Sequence, residues 1–91
     1  MQKRFITHTQ KSKRGGIIAF YNLTAYWSPR TVNDVIQDIE YGIYSYFARW
    51  PDNQISEIKV IKASKGKYLR TDLDSTDRNN LEDLPVFNGQ D

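Results

Sequence analysis

The chain has no cysteine among its 91 residues. That absence excludes thiol catalysis, disulfides and cysteine-ligated zinc. It has one histidine, His8, so no site built on two imidazoles can come from one copy of the chain. No apolar run approaches the roughly 18 residues of a membrane-spanning helix. The opening MQKRFITHTQKSKR carries charge without an apolar stretch of the secretory type. A soluble, cytoplasmic protein with no membrane partner is therefore expected. The phosphate-cradling and nucleophile motifs G-x-G-x-x-G, P-loop and G-x-S-x-G are also missing. No catalytic set, cofactor or metal is expected, and the reading is of a binding protein rather than an enzyme. One domain covering residues 1–91 is the expectation, with an ordered core at about 4–87 and a short frayed tail at Gly89–Asp91.

What is present is charge in blocks. The net charge of +2 hides an alternation. Residues 1–33 hold six basic groups and no acid. Residues 34–58 have a net charge of −4, residues 59–70 of +5 and residues 71–91 of −5. The third block comprises Lys59, Lys62, Lys65, Lys67 and Arg70. Such layout speaks to partners rather than to fold. Twelve aromatic residues add a second feature. They are too many to be buried together with the aliphatic set of so small a core. Some must be exposed or sit in a subunit contact, so a homo-oligomer is one expectation.

Turn residues divide the chain into short pieces. Phe5–Gln10 reads as a strand, Ser12–Gly16 as a loop, and Ile17–Thr24 as a second strand forming a hairpin with the first. Ser28-Pro29 resembles a helix start, with a capping hydroxyl before proline at the first helical position. Val32, Val35, Ile36 and Ile39 then fall on one apolar stripe, while Asn33, Asp34, Gln37, Asp38 and Glu40 cover the other side. Gly42 is the natural residue beyond the end. This spacing predicts a helix of about 13 residues. Tyr44–Trp50, Ile55–Ala63 and Tyr68–Leu73 read as three more strands. In the last, Leu69, Thr71 and Leu73 share one face, and Tyr68, Arg70 and Asp72 the other. Leu81–Leu84 fits one helical turn, stopped by Pro85. The expected class is α+β: a small, mostly antiparallel five-stranded sheet in the order β-β-α-β-β-β, packed on one amphipathic helix.

Lys67-Tyr68-Leu69-Arg70-Thr71, followed eight residues later by Asn80-Leu81-x-x-Leu84-Pro85, is the most specific pattern. Phe5-Ile6-Thr7, Trp27, Ile36-x-x-Ile39-Glu40-x-Gly42 and Tyr46-Phe47 accompany it upstream. Over roughly residues 5 to 87 the chain resembles a family of short bacterial and phage proteins known only as a domain of unknown function. The resemblance implies a compact α+β domain and no established activity.

The candidate ligand-binding residues cluster around Tyr68. Tyr68 and Arg70 stand side by side on one face, where a ring can stack on a base and a guanidinium fork can hold phosphate. Lys65 and Lys67 lie at the adjoining turn, Lys59 on the neighbouring strand, and Trp27 offers a second ring. The competing reading has Arg70 paired with Asp72 or Glu57 and Tyr68 covering a sheet edge. Asn80 either caps the Leu81–Leu84 turn or contacts the ligand. Asp72, Asp74 and Asp77 lack the glycine and terminal glutamate of a calcium loop and read as a solvated loop. His8 lacks an obvious partner, because its strand neighbours Thr7 and Thr9 should point to the opposite face. The leading expectation is a module that binds a phosphate-bearing small molecule such as a nucleotide signal, with sequestration as one role open to it. The alternatives are single-stranded nucleic-acid binding through the basic blocks, and protein–protein interaction or self-assembly.

Overall fold

The computed structural model describes residues 2–71, 81 and 84–87. Among the described residues seven strands and one helix follow in chain order: β1 (Gln2–Ile6), β2 (His8–Lys11), β3 (Ile17–Tyr21), β4 (Arg30–Thr31), α1 (Val32–Glu40), β5 (Tyr44–Arg49), β6 (Ile55–Ala63) and β7 (Gly66–Thr71). The class is α+β as expected, but the strands form two sheets rather than one five-stranded sheet. One sheet runs β1-β5-β6-β7 and the other β2-β3-β4. The division occurs at Thr7, which separates β1 from β2. β2 makes the expected antiparallel hairpin with β3. β1 instead pairs in parallel with β5, Phe5 opposite Phe47 and Arg4 opposite Tyr46. A parallel pair needs a long crossover, and here β2, β3, β4 and α1 all lie within it. Short linkers argue only for neighbours in sequence, so they could not reveal this pair.

The helix starts later than the proline suggests. Ser28 does not cap it; its hydroxyl accepts from the Asn22 backbone N–H at 3.0 Å. Arg30 and Thr31 continue as strand, paired with Phe20 and Ala19. Thr31 is the cap, accepting from the Asp34 N–H at 3.1 Å, while the Asp34 carboxylate accepts from the Thr31 N–H at 3.4 Å. This reciprocal pair is a capping box with Asp in the third position. At the other end Gly42 takes φ of +71. Its N–H donates to Ile39 and that of Ile43 to Asp38, at 3.1 and 2.9 Å. That pair of bonds is a Schellman closure, which favours a residue without Cβ.

The apolar stripe of α1 packs as its spacing predicts. Val35 and Ile36 are buried, and Val32 and Ile39 pack against the core at half burial. They meet Ile6, Phe20, Tyr46, Ala48, Trp50 and Ile58. Truncating a fully buried ring such as Phe20 should cost about 3–5 kcal/mol. Leu81 and Leu84 complete the core, joined by a bond from the Leu84 N–H to the Leu81 carbonyl at 3.2 Å. The chain then runs along β2: Thr9 donates to Pro85 at 2.9 Å and accepts from Phe87 at 2.7 Å. The second sheet and the helix thus share one side of the four-stranded sheet. Among the described residues no helix is long and apolar enough to cross a membrane.

Candidate functional site

Period-two alternation sorts the four-stranded sheet into two faces. The face toward α1 carries Arg4 and Ile6 of β1, Tyr46 and Ala48 of β5, Ile58 of β6, and Leu69 and Thr71 of β7. All are buried except Leu69, which is half-buried. The opposite face carries Lys3, Phe5, Phe47, Arg49, Ile55, Glu57, Lys59, Ile61, Tyr68 and Arg70. None of these is buried. Register ties them into rows: Phe5–Phe47–Glu57 across three strands, Arg49–Ile55 on one side, and Lys59–Arg70 and Ile61–Tyr68 on the other.

This outer face combines rings with cations. Phe5 and Phe47 stack with centroids 5.6 Å apart and planes inclined by 30°. The Arg49 guanidinium lies 4.5 Å from the Phe5 centroid, and the Lys3 ammonium 5.5 Å from that of Phe47. Each is a cation–π contact at a partly wet site, where about 0.5–1 kcal/mol is typical. Tyr68 is 46% exposed. Four cations (Lys3, Arg49, Lys59, Arg70) face one carboxylate, Glu57. The surface is rich in π-faces and positive, a combination suited to unstacked bases with their phosphates.

The inner face holds a second charged group with a different character. The Arg4 guanidinium sits 3.5 Å from the Tyr44 ring centroid, 4.9 Å from Trp27 and 5.9 Å from Tyr46. It donates to the Tyr46 hydroxyl at 3.1 Å. That hydroxyl donates to Asp38 Oδ2 at 2.5 Å, and Arg30 Nη2 donates to the same oxygen at 2.8 Å. Asp38, expected on the solvated side of the helix, is buried. It lies three residues after Val35, on the flank of the buried stripe. Burial holds the Tyr46 phenol above its ordinary pKa, aided by the bond to Asp38 and opposed by Arg4 and Arg30. Burial lowers the Arg30 pKa, but its bonds to Asp38 and Tyr46 outweigh that and leave it raised.

The structure therefore brings together some expected site residues and separates others. Tyr68, Arg70 and Lys59 share the outer face, with Lys59 directly opposite Arg70. Lys65 lies exposed in the turn between β6 and β7. Lys67 belongs to the other face of β7 and is held by Glu40 at 2.8 Å. Trp27 packs edge-on against Tyr46, centroids 6.0 Å apart, on the inner side of the sheet away from Tyr68. Asn80, Asp72, Asp74 and Asp77 lie outside the described residues. Among the described residues neither Arg70 nor Glu57 takes part in an ion pair. Lys3, Phe5, Phe47 and Arg49 were not among the expected site residues. Their alternation with Arg4, Tyr46 and Ala48 was readable; the pairing of β1 with β5 that brings them side by side was not.

His8 also differs from expectation. The break at Thr7 interrupts the alternation and brings Thr7 Oγ1 to 2.9 Å from His8 Nδ1. The hydroxyl also donates to the Tyr21 carbonyl at 3.4 Å.

Comparison with known proteins adds one finding. Residues 5–85 match a family described as a protein of unknown function (DUF3892). No curated protein and no solved structure matches the chain.

Proposed function

The chain belongs to the DUF3892 family, whose function is unknown, and we propose that it is a non-enzymatic domain binding single-stranded nucleic acid on the outer face of its four-stranded sheet. The supporting observation is the composition of that face. Three rings (Phe5, Phe47, Tyr68) and four cations (Lys3, Arg49, Lys59, Arg70) stand on one face, and among the described residues none of them is buried. Bases stack on the rings without sequence preference, and phosphates lie against the cations. A groove-reading mode is disfavoured, because the face of a four-stranded sheet is wider than the helix or two-stranded ribbon that a duplex groove admits. The nucleotide-signal reading draws on fewer neighbours. Of its proposed contacts, Trp27 lies on the other side of the sheet and Lys67 is engaged by Glu40.

The test is fluorescence anisotropy with labelled single-stranded DNA and RNA. Neutralising phosphates with four cations gives a slope of log K against log salt of about −3. Affinity should then fall about fiftyfold between roughly 50 and 200 mM salt. Tyr68→Thr keeps a good strand former at an exposed position. It should weaken binding by about 1–3 kcal/mol while leaving the melting temperature nearly unchanged. Folded protein that binds neither strand at low salt would sink the proposal.

A further inference from the structure

We propose that the Lys59–Arg70 rung is a subsite for a terminal phosphomonoester whose adjoining base stacks on Tyr68; the inference rests on the sheet-face reading and adds the part of the strand that is recognised. The starting observation is an electrostatic conflict within one hairpin. Lys59 stands directly opposite Arg70, and Lys62 directly opposite Lys67. Directly opposed side chains have Cβ atoms about 4.5–5.5 Å apart, and like charges there are destabilising. The Lys62–Lys67 rung lies on the helix side, where Glu40 reaches Lys67 at 2.8 Å. The Lys59–Arg70 rung lies on the outer side, and among the described residues no ion pair reaches either cation. Among the described residues, one rung has a counter-charge within reach and the other does not.

The chemistry of the Lys59–Arg70 rung selects its ligand. A phosphodiester within a chain brings one negative charge. A terminal phosphomonoester brings about 1.5 to 2 at neutral pH, with three free oxygens. Two opposed cations match the second better. The Arg70 fork can take two oxygens in parallel and the Lys59 ammonium the third. The next rung on the same face is Ile61–Tyr68, about 7 Å along the strands. A ring at that separation is placed to stack the base attached to the bound phosphate, with Ile61 beside it as an apolar wall. Phe5 and Phe47 lie farther across the sheet, on β1 and β5, where following nucleotides would pass. The end of a strand and a free nucleoside monophosphate present the same chemistry to this subsite.

Anisotropy with three labelled oligonucleotides of about six residues tests this: one 5′-phosphorylated, one 3′-phosphorylated and one with hydroxyls at both ends. A nucleoside monophosphate serves as competitor. One phosphorylated end should bind about tenfold tighter than the hydroxyl-ended strand. The advantage should shrink between about pH 7.5 and 5.5 as the monoester takes up its second proton, whose pKa is about 6. Lys59→Gln should abolish the advantage, so that phosphorylated and hydroxyl-ended strands bind at one common affinity, weaker than that of the unaltered chain. Equal affinity for all three strands would overturn the inference and leave the sheet-face reading standing. Monophosphate binding without strand binding would uphold the subsite and overturn that reading. Absence of binding by all four ligands would overturn both.

Discussion

Lys3 and Arg4 are neighbours in sequence, yet the sheet sends them to opposite faces, where the same charge does different work. Arg4 is 7% exposed. Its guanidinium lies among Tyr44, Trp27 and Tyr46, and Asp38 is 4.0 Å away. A charge so far from water persists only with hydrogen bonds and an opposite charge, and both are present. Lys3 rests over Phe47 on a face open to solvent. Water solvates it, and a carboxylate is not required. The inner cations find their counter-charges within the chain; among the described residues the outer face has cations in excess.

The largest expected effect breaks the inner half of this contrast. Asp38→Ala removes the carboxylate that holds Arg30 and Tyr46 and balances Arg4. Stranding buried positive charge typically costs about 3–5 kcal/mol. Urea unfolding should show that loss, whereas Glu57→Ala on the outer face should fall within about 0.5 kcal/mol. Comparable losses for the two carboxylates would erase the distinction.

A smaller effect reads the same group through pH. The Tyr46 phenol is raised above its ordinary value of 10.0 in the folded chain. Above about pH 10 the unfolded chain releases this proton while the folded chain retains it. The stabilisation is therefore fully present below that pH and is lost as pH rises toward the folded value. Tyr46→Phe should remove this part of the alkaline loss in a stability-against-pH series. At neutral pH it should cost about 1–3 kcal/mol, because Asp38 loses a hydrogen bond. An unchanged alkaline profile would show that Tyr46 does not contribute there.

The smallest effect sharpens the outer half. Lys59→Gln relieves the repulsion across the Lys59–Arg70 rung and should stabilise the chain by about 0.2–1 kcal/mol. The same change should lower the salt slope of nucleic-acid binding by about 0.7. A gain in stability together with a loss of affinity marks a residue kept for a ligand. Loss of both would make Lys59 structural.

Much of the local structure was legible. The i, i+3, i+4, i+7 spacing located α1, Gly42 marked its end, and the alternation of β7 separated Tyr68 and Arg70 from Leu69 and Thr71. The hairpins β2–β3 and β6–β7 followed from their short connections. About half of the candidate site was visible in the same way, as Tyr68, Arg70 and Lys59. The other half depends on β1 lying beside β5, and Trp27 and Lys67 were assigned to a surface that they do not reach. Asp38 shows a similar limit. Its spacing of three from Val35 was on view, but the arginines and the tyrosine that make its burial tolerable come from three separate strands.

By itself the sequence determined the apolar stripe and end of α1, the alternation of β7, and that its charge comes in blocks. These follow from steric preferences and hydrogen bonds spanning a few residues. Tertiary structure alone decided that the first strand divides at Thr7, that β1 joins β5, and that Arg4 meets Tyr46 across 42 residues of chain. Closure over such distances depends on how all the apolar faces can be buried together, a property of the whole fold that no local window contains.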